Sequence, residues 1–344
     1  MLGNSLKTIN LAIDVFGADD GEKVIIEGCD LIANNINACF IFIGRKSVIE
    51  PIIHNCKNLK NYSIIDTPNF VKPDEKGSDA LRSGKNTSMR IGVDLVKDGK
   101  ADAVITAGNT GALLSISYIV LRTIEGISRP AMTAYFPTKN GETAMLDLGA
   151  NIECDDQNLV DFAELGSALY KSLYLNDKPK VSLLNIGSEE IKGTENLKKA
   201  SKRLRDLSNE NNFIYKGYIE GNDLMKGESN VIVTDGFTGN IALKTAEGTA
   251  KFITKNLKKT LEENILSKIS LIFSYFSLKK FKNKLDPRKY NGAILLGLNG
   301  PVVKSHGGID EIGFYYSIDL CYKIIKGNLM SQIKTNLNHL QSVK

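Results

Sequence analysis

ADAVITAGNTGALL, residues 101–114, decides how the rest of the chain is read. A largely apolar run ends in Thr106, Ala107, Gly108, Asn109, Thr110 and Gly111, and an apolar stretch resumes at once. That order predicts a buried strand, a tight turn and a helix. One glycine satisfies most turns. Two of them bracketing Asn109 and Thr110 suit backbone that must approach a ligand closely.

The same rhythm extends in both directions. TINLAID (8–14) predicts a first strand, then the loop FGADDG and a helix from about Glu22 to Asn34. ACFIFIG (38–44) is the next strand, and SMRIGVDLVKDG (88–99) has the apolar spacing of a helix ending at Gly99. TAMLDLGAN (143–151), KVSLLNIG (180–187) and NVIVTDG (230–236) read as further strands. The helix DQNLVDFAELGSALYKSLY separates the first two, and another helix follows the last from about Asn240. Strands alternating with helices predict an α/β fold with a mainly parallel sheet and helices on its faces.

No proline-rich or low-complexity linker divides the 344 residues. The whole chain, 1–344, is expected to form a single domain with two interleaved lobes. Residues 247–289 change character: they are strand-free, rich in lysine, and apolar at Ile265, Leu266, Ile269, Leu271, Ile272, Phe273, Tyr275, Phe276 and Phe281. They read as an inserted helical hairpin, after which GAILLGLNGPVVKSHGGID returns to core-like sequence.

Composition narrows the function. The net charge, 44 − 39 = +5, is too small to argue for nucleic-acid binding, and none is expected. Five scattered cysteines (Cys29, Cys39, Cys56, Cys154, Cys321) include no CxxC pair, so neither a zinc site nor a disulfide framework is indicated. MLGNSLKTINLAIDVFG lacks the apolar core of a signal peptide, and no stretch is long enough to span a bilayer. A cytoplasmic protein is expected. ISLIFSYFSL (269–278) comes nearest to a span, but it is short and runs into lysines. The segment 265–285 reads as core or subunit packing, or as a basic, aromatic helix resting on anionic lipid.

VITAGNTGALL has an echo in VIVTDGFTGNIAL. Both share the frame T-x-G-x-T-G: Thr106, Gly108, Thr110 and Gly111 against Thr234, Gly236, Thr238 and Gly239. Each copy follows an apolar strand and opens an apolar helix. In open parallel sheets ligands gather beyond the carboxyl ends of the strands. Glycines there admit a ligand to the backbone, and the helix start supplies unpaired N–H groups and partial positive charge, which suits phosphate. Taken singly, each loop is equally a plain capped turn; the repetition favours a ligand site. Neither loop is a Walker A or a G-x-G-x-x-G sequence, so nucleoside triphosphate and nicotinamide lose support, and no cofactor is expected.

Other candidate groups are sparse. SEEIKGTE (188–195) puts Glu189, Glu190 and Lys192 within one turn, either at a site or on a solvated face. Of three histidines, His54 and His339 lie in stretches without motif character, whereas His306 sits in VVKSHGGID as an acid–base candidate or a structural residue. No G-x-S-x-G elbow is present, so a covalent acyl-enzyme is unsupported.

IDVFGADD, SMRIGVDLVKDGKADAVITAGNTGALL, AMLDLGANIECDDQNLVDFAELG, LLNIGSEEIKGTE, VIVTDGFTGNIALKTAEG and LLGLNGPVVKSHGGID resemble, in order, the PlsX-type phosphate acyltransferases from about Ile9 to Ile324. That resemblance implies a Rossmann-like three-layer α/β/α sandwich, similar to isocitrate and isopropylmalate dehydrogenases, dimeric and with a protruding helical hairpin. It implies acyl transfer from a long-chain acyl-acyl-carrier-protein to inorganic phosphate, giving acyl phosphate for membrane phospholipid synthesis. Two departures stand out. Phe16-Gly17-Ala18-Asp19 replaces the family's Met-Gly-Gly-Asp, and its Glu-Pro is altered around Asp74, Glu75 and Lys76.

Phosphate is itself the nucleophile in that reaction, so the protein must supply a cradle, an oxyanion donor and orientation. The expected cradle is Gly108, Asn109, Thr110 and Gly111, faced by Thr238, Gly239 and Asn240. Lys192, Lys244 or His306 offsets charge, and Asp14, Asp147 and Asp235 orient donors. Gly17 and Asn151, in the loops after the first and DLGAN strands, complete the expected substrate-binding set. Two other readings compete: an enzyme using acyl-coenzyme A, and a catalytically silent scaffold docked on lipid through 265–285.

Overall fold

The computed structural model describes residues 8–174, 178–210, 213–263, 265–284 and 286–342. The first half runs β1 (Ile9–Asp14), α1 (Glu22–Ala33), β2 (Ala38–Gly44), α2 (Lys46–His54), β3 (Tyr62–Asp66), α3 (Gly77–Ser83), α4 (Ser88–Lys97), β4 (Ala103–Thr106) and α5 (Thr110–Leu121). Next come β5 (Ala131–Thr138), β6 (Gly141–Leu146), α6 (Asp156–Leu173), β7 (Lys180–Leu184), α7 (Glu195–Glu210), β8 (Ile214–Ile219) and β9 (Val231–Val233). The hairpin α8 (Gly236–Glu262) and α9 (Ile265–Lys284) precedes β10 (Ala293–Leu296), β11 (Val302–Lys304), α10 (Glu311–Lys326) and α11 (Leu329–Ser342).

Among the described residues the strands form one sheet of eleven, in the order β3-β2-β1-β4-β11-β10-β5-β6-β9-β7-β8. Its pairings set a direction for each strand. β1, β2, β3, β4 and β11 are mutually parallel. β10 is antiparallel to β11 and to β5, and β5 is antiparallel to β6. β6, β9, β7 and β8 are again parallel to one another. The sheet is therefore two parallel blocks pointing opposite ways, joined by two antiparallel strands.

Helices cover both faces, as the alternation predicts. Leu11, Ile13, Phe40, Phe42, Ile105, Leu146 and Val233 belong to one large cluster with α1, α6 and α10. The residues between them point the other way, as strand geometry requires. Ala12, Ile43 and Val104 meet α4 and α5, while Met145 and Ile232 meet Ala242, Leu243 and Ala246 of α8. Met132 of β5 packs against both of these smaller clusters.

Three differences from the sequence reading bear on the site. The strand expected at 143–151 ends at Leu146, because the Asp147 carboxylate gathers the next peptides into a turn. Its hairpin partner β5 was not anticipated: AMTAYFPT holds a proline and lacks clean alternation. The helix expected from about Asn240 starts at Gly236, with Asp235 as its cap. Thr238, Gly239 and Asn240 are thus the first turn of a helix and not a loop.

Candidate active site at two sheet edges

Three loops interlock at the carboxyl ends of β1, β4 and β11. Gly17, at φ +95°, lies so close to Gly108 that a Cβ there would stand 2.3 Å from the Gly108 Cα. No side chain fits, and the positive φ itself favours glycine. Ala18, where the resemblance implies a glycine, is not among the residues with positive φ, so alanine there costs no backbone strain. Phe16 stacks on Phe70 with centroids 4.8 Å apart, and the Arg45 guanidinium lies over its ring. From the third loop, Gly307 accepts a backbone hydrogen bond from Asp19 at 2.9 Å.

Buried Asp14 ties the first two loops together. Its Oδ2 accepts from the Thr106 hydroxyl at 2.7 Å and its Oδ1 from the Phe16 N–H at 3.1 Å. Thr106 Oγ1 in turn accepts from the Gly108 N–H at 3.0 Å. Burial pushes the Asp14 carboxyl up to about 6, against the pull of Thr106 and Lys304. Gly108 therefore spends its N–H inside the protein.

The donors left for a ligand belong to α5. Asn109 caps this helix, its Oδ1 accepting from the Ala112 N–H at 3.0 Å. Its amide group reaches the carbonyls of Lys72, Pro73 and Glu75 at 3.2, 3.0 and 2.8 Å. The side chain expected to contact phosphate is fully engaged as a cap and as a clamp on the 72–75 segment. The backbone N–H groups of Thr110 and Gly111 make no hydrogen bond among the described residues, and both residues are exposed. Beside the clamp is an open surface depression lined by Lys72, Asp74, Glu75, Lys76 and Asp79, a charged lining unsuited to an acyl chain.

His306 and Lys244 join this edge. His306 Nδ1 accepts from the Gly308 N–H at 3.3 Å, which leaves the proton of a neutral imidazole on Nε2. Burial, then the charge of Lys244, holds the imidazole below its usual range, so it is neutral at physiological pH. Lys244 is exposed and pairs with Glu247 at 2.9 Å. The sequence reading passed over Lys304. Its Nζ donates to the carbonyl of Ala107 at 3.0 Å and to that of Ser305. The signal was its position beside His306 at the end of an apolar run, where lysine is costly unless it is used.

Asp147, Asn151, Asp235, Thr238, Gly239, Asn240 and Lys192 lie elsewhere. β9 and β7 run opposite to β4, so their carboxyl ends meet the other edge of the sheet. Five strand spacings, about 24 Å, also separate β4 from β9. The expected pairing of the two T-x-G-x-T-G turns across one cleft within one chain does not occur. α8 links the edges: it starts at Gly236 and reaches the neighbourhood of His306 eight residues later, about 12 Å along its axis.

This second edge is built around carboxylates. Buried Asp147 accepts from the N–H groups of Met132, Gly149, Ala150 and Asn151 and from the Asn151 side chain, at 2.6–3.2 Å. Burial nonetheless holds its carboxyl above the usual range. Asn151 also donates to the Pro130 carbonyl at 2.8 Å. Asp235 accepts from both the N–H and the hydroxyl of Thr238 at 2.8 Å, and the Gly236 N–H is taken by the Asn151 carbonyl. Gly239 packs on the Asp147 carbonyl, where a Cβ would stand 1.9 Å away, and Asn240 lies against Gly149. Lys192 is exposed and pairs with Glu189 at 2.8 Å, while its carbonyl accepts from Asn185. No cluster of three or more His, Cys, Asp or Glu able to hold a metal occurs among the described residues.

The fold is that of the phosphotransacetylases and their structural neighbours. EutD phosphotransacetylase from Staphylococcus aureus superposes with a TM-score of 0.61 at 17% identity, covering 94% of each chain. A 4-hydroxythreonine-4-phosphate dehydrogenase from Klebsiella pneumoniae gives 0.54 at 12%, covering 94% of this chain and all of that one (100%). Within that class, the fatty acid synthesis protein family model matches residues 9–332, and the chain belongs to this family of acyltransferases. A Pelagibacter ubique relative named phosphate acyltransferase is 50% identical over 96% of this chain and 99% of its own length. One of the same name from Rhodospirillum centenum is 42% identical over 96% and 94%.

Proposed function

We propose that the chain transfers the acyl group of a long-chain acyl-acyl-carrier-protein to inorganic phosphate, and that phosphate binds at the amino terminus of α5. The contrast between the two helix starts carries this reading. Both begin at a T-x-G-x-T-G turn, but α5 has a neutral Asn109 cap and free N–H groups on Thr110 and Gly111. α8 is capped by the Asp235 carboxylate, which already occupies the place an anion would take. A phosphate oxygen attacks the thioester carbonyl carbon, the tetrahedral oxyanion collapses, and the C–S bond breaks. The proton of hydrogen phosphate passes to the departing thiolate, giving acyl phosphate and free thiol. The Nε2–H of neutral His306 is the donor placed to stabilise the developing charge.

Lys192, Lys244 and the second edge act on the acyl donor in this reading. The exposed Tyr118 and Ile119 of α5, and Phe237 and Ile241 of α8, are apolar area suited to a second copy in a homodimer. Lysines and the exposed Phe273, Tyr275, Phe276 and Phe281 make α9 a peripheral contact with anionic membrane at the cytoplasmic face. The side chains of Ile265, Leu266, Ile269, Leu271 and Ile272 lie outside the described residues. No described helix is long and apolar enough to cross a membrane.

The deciding assay supplies palmitoyl-acyl-carrier-protein with and without phosphate and detects acyl phosphate directly. Product that needs both supports the reading. Equal rates with palmitoyl-coenzyme A would remove the carrier-protein preference, and no product from either donor would leave a docking scaffold.

A further inference from the structure

The phosphate edge rests on two carboxylates. A Cβ at Gly108 would stand 3.8 Å from Asp14 Oδ2, and one at Gly308 would stand 3.1 Å from Asp19 Oδ2. Neither acid forms an ion pair within 4.0 Å among the described residues. An edge floored by two negative charges repels a dianion unless a cation lies with them.

Lys304 is that cation. It leaves the end of β11 beneath the interlocked loops, and its charge acts on both Asp14 and Asp19. Two of its three N–H donors go to the carbonyls of Ala107 and Ser305. Ala107 immediately precedes Gly108 and the α5 start, so the ammonium also holds the backbone from which the ligand-facing N–H groups extend.

We propose that Lys304 is the positioning residue for phosphate: it anchors the Ala107 carbonyl behind the α5 start and cancels the negative field of Asp14 and Asp19. This rests on the assignment of phosphate to α5. Beyond Asp14 and Asp19, the titratable group coupled to Lys304 is His306 on its own loop, whose imidazole also feels Lys244, Glu247 and Lys251 of α8. Lys244 and Glu247 pair with each other, His306 is neutral and Lys251 is exposed to solvent, so none of the four replaces the half-buried ammonium. Burial lowers the Lys304 ammonium to about 8, with Asp14 and Asp19 pulling the other way. Phosphate affinity should therefore fall as pH rises through that value, although phosphate stays mainly dianionic.

The test is calorimetric titration of the full-length protein with inorganic phosphate, without acyl donor, at pH 7.5 and 9. Wild type should bind about fivefold or more weaker at pH 9, and Lys304→Arg, whose guanidinium does not titrate, should bind equally at both. Lys304→Met should lose about tenfold or more at pH 7.5, and adding Asp14→Asn should restore part of that loss. A purely structural lysine would show neither the restoration nor the flat arginine profile. Folded Lys304→Met that binds phosphate within about twofold of wild type overturns the proposal, as does a Lys304→Arg profile that still falls with pH. If Lys304→Met does not fold, the arginine profile decides. Wild type that binds no phosphate removes both the α5 assignment and this role. Lysine-dependent binding without acyl phosphate formation sinks only the proposed reaction.

Discussion

The Asn109 amide donates to the Glu75 carbonyl at 2.8 Å while its Oδ1 caps α5. One side chain thus closes the helix that faces the ligand and holds the segment beside it. Asn109→Ala loses the cap and three carbonyl contacts at once. We expect about 1–2 kcal/mol of stability to be lost, read from urea unfolding. The KM for phosphate should rise more than kcat falls, because the side chain positions the donors without touching the anion. A phosphate KM equal to wild type would separate Asn109 from the site.

Gly17→Ala tests the interlock of the first two loops. The new methyl meets the Gly108 backbone at 2.3 Å at a position with φ +95°. Backbone conformation alone costs about 1–2 kcal/mol, and the collision must displace one loop. Thermal melting should drop by several degrees and phosphate binding should weaken. Neighbouring Ala18→Gly, which relieves no strain, should leave phosphate binding at the wild-type level.

Glu164 gives the fold a pH dependence of its own. It is 1% exposed on α6, and neither carboxylate oxygen has a hydrogen-bond partner among the described residues. Burial pushes its carboxyl up to about 7, which Lys171 opposes and Asp161 reinforces. A folded value raised above the unfolded one means that stability is fully present below about pH 4.5 and lost as pH rises through 7. Glu164→Met should therefore melt above wild type at pH 8, by on the order of 2–3 kcal/mol, with the gap shrinking towards pH 5. An equal difference at both pH values would show that ionisation is not the cause.

For the hairpin, Phe273→Glu with Phe276→Glu is the direct probe, since these side chains are 86% and 82% exposed. Co-sedimentation with anionic liposomes should disappear while the melting temperature holds. Light scattering of the same variant tells lipid contact from subunit packing: a fall to monomer mass would assign the two rings to the dimer.

Local chemistry carried the sequence reading a long way. β1, β2, β4 and the turns after them were legible because apolar runs, glycines and caps act within a few residues of one another. Gly17, Gly108 and Asp14 were likewise visible as loop residues at strand ends. The direction of β9 relative to β4 was not, because it depends on the antiparallel pairs β10–β11, β10–β5 and β5–β6. Those pairings join segments up to 165 residues apart, as with Ala131 and Leu296. The sequence by itself determined the strand–turn–helix units and the family to which they belong. Only the tertiary structure sent the two matching turns to opposite edges and set Lys304 beneath one of them, because hydrogen bonding between distant strands decides which way each loop faces.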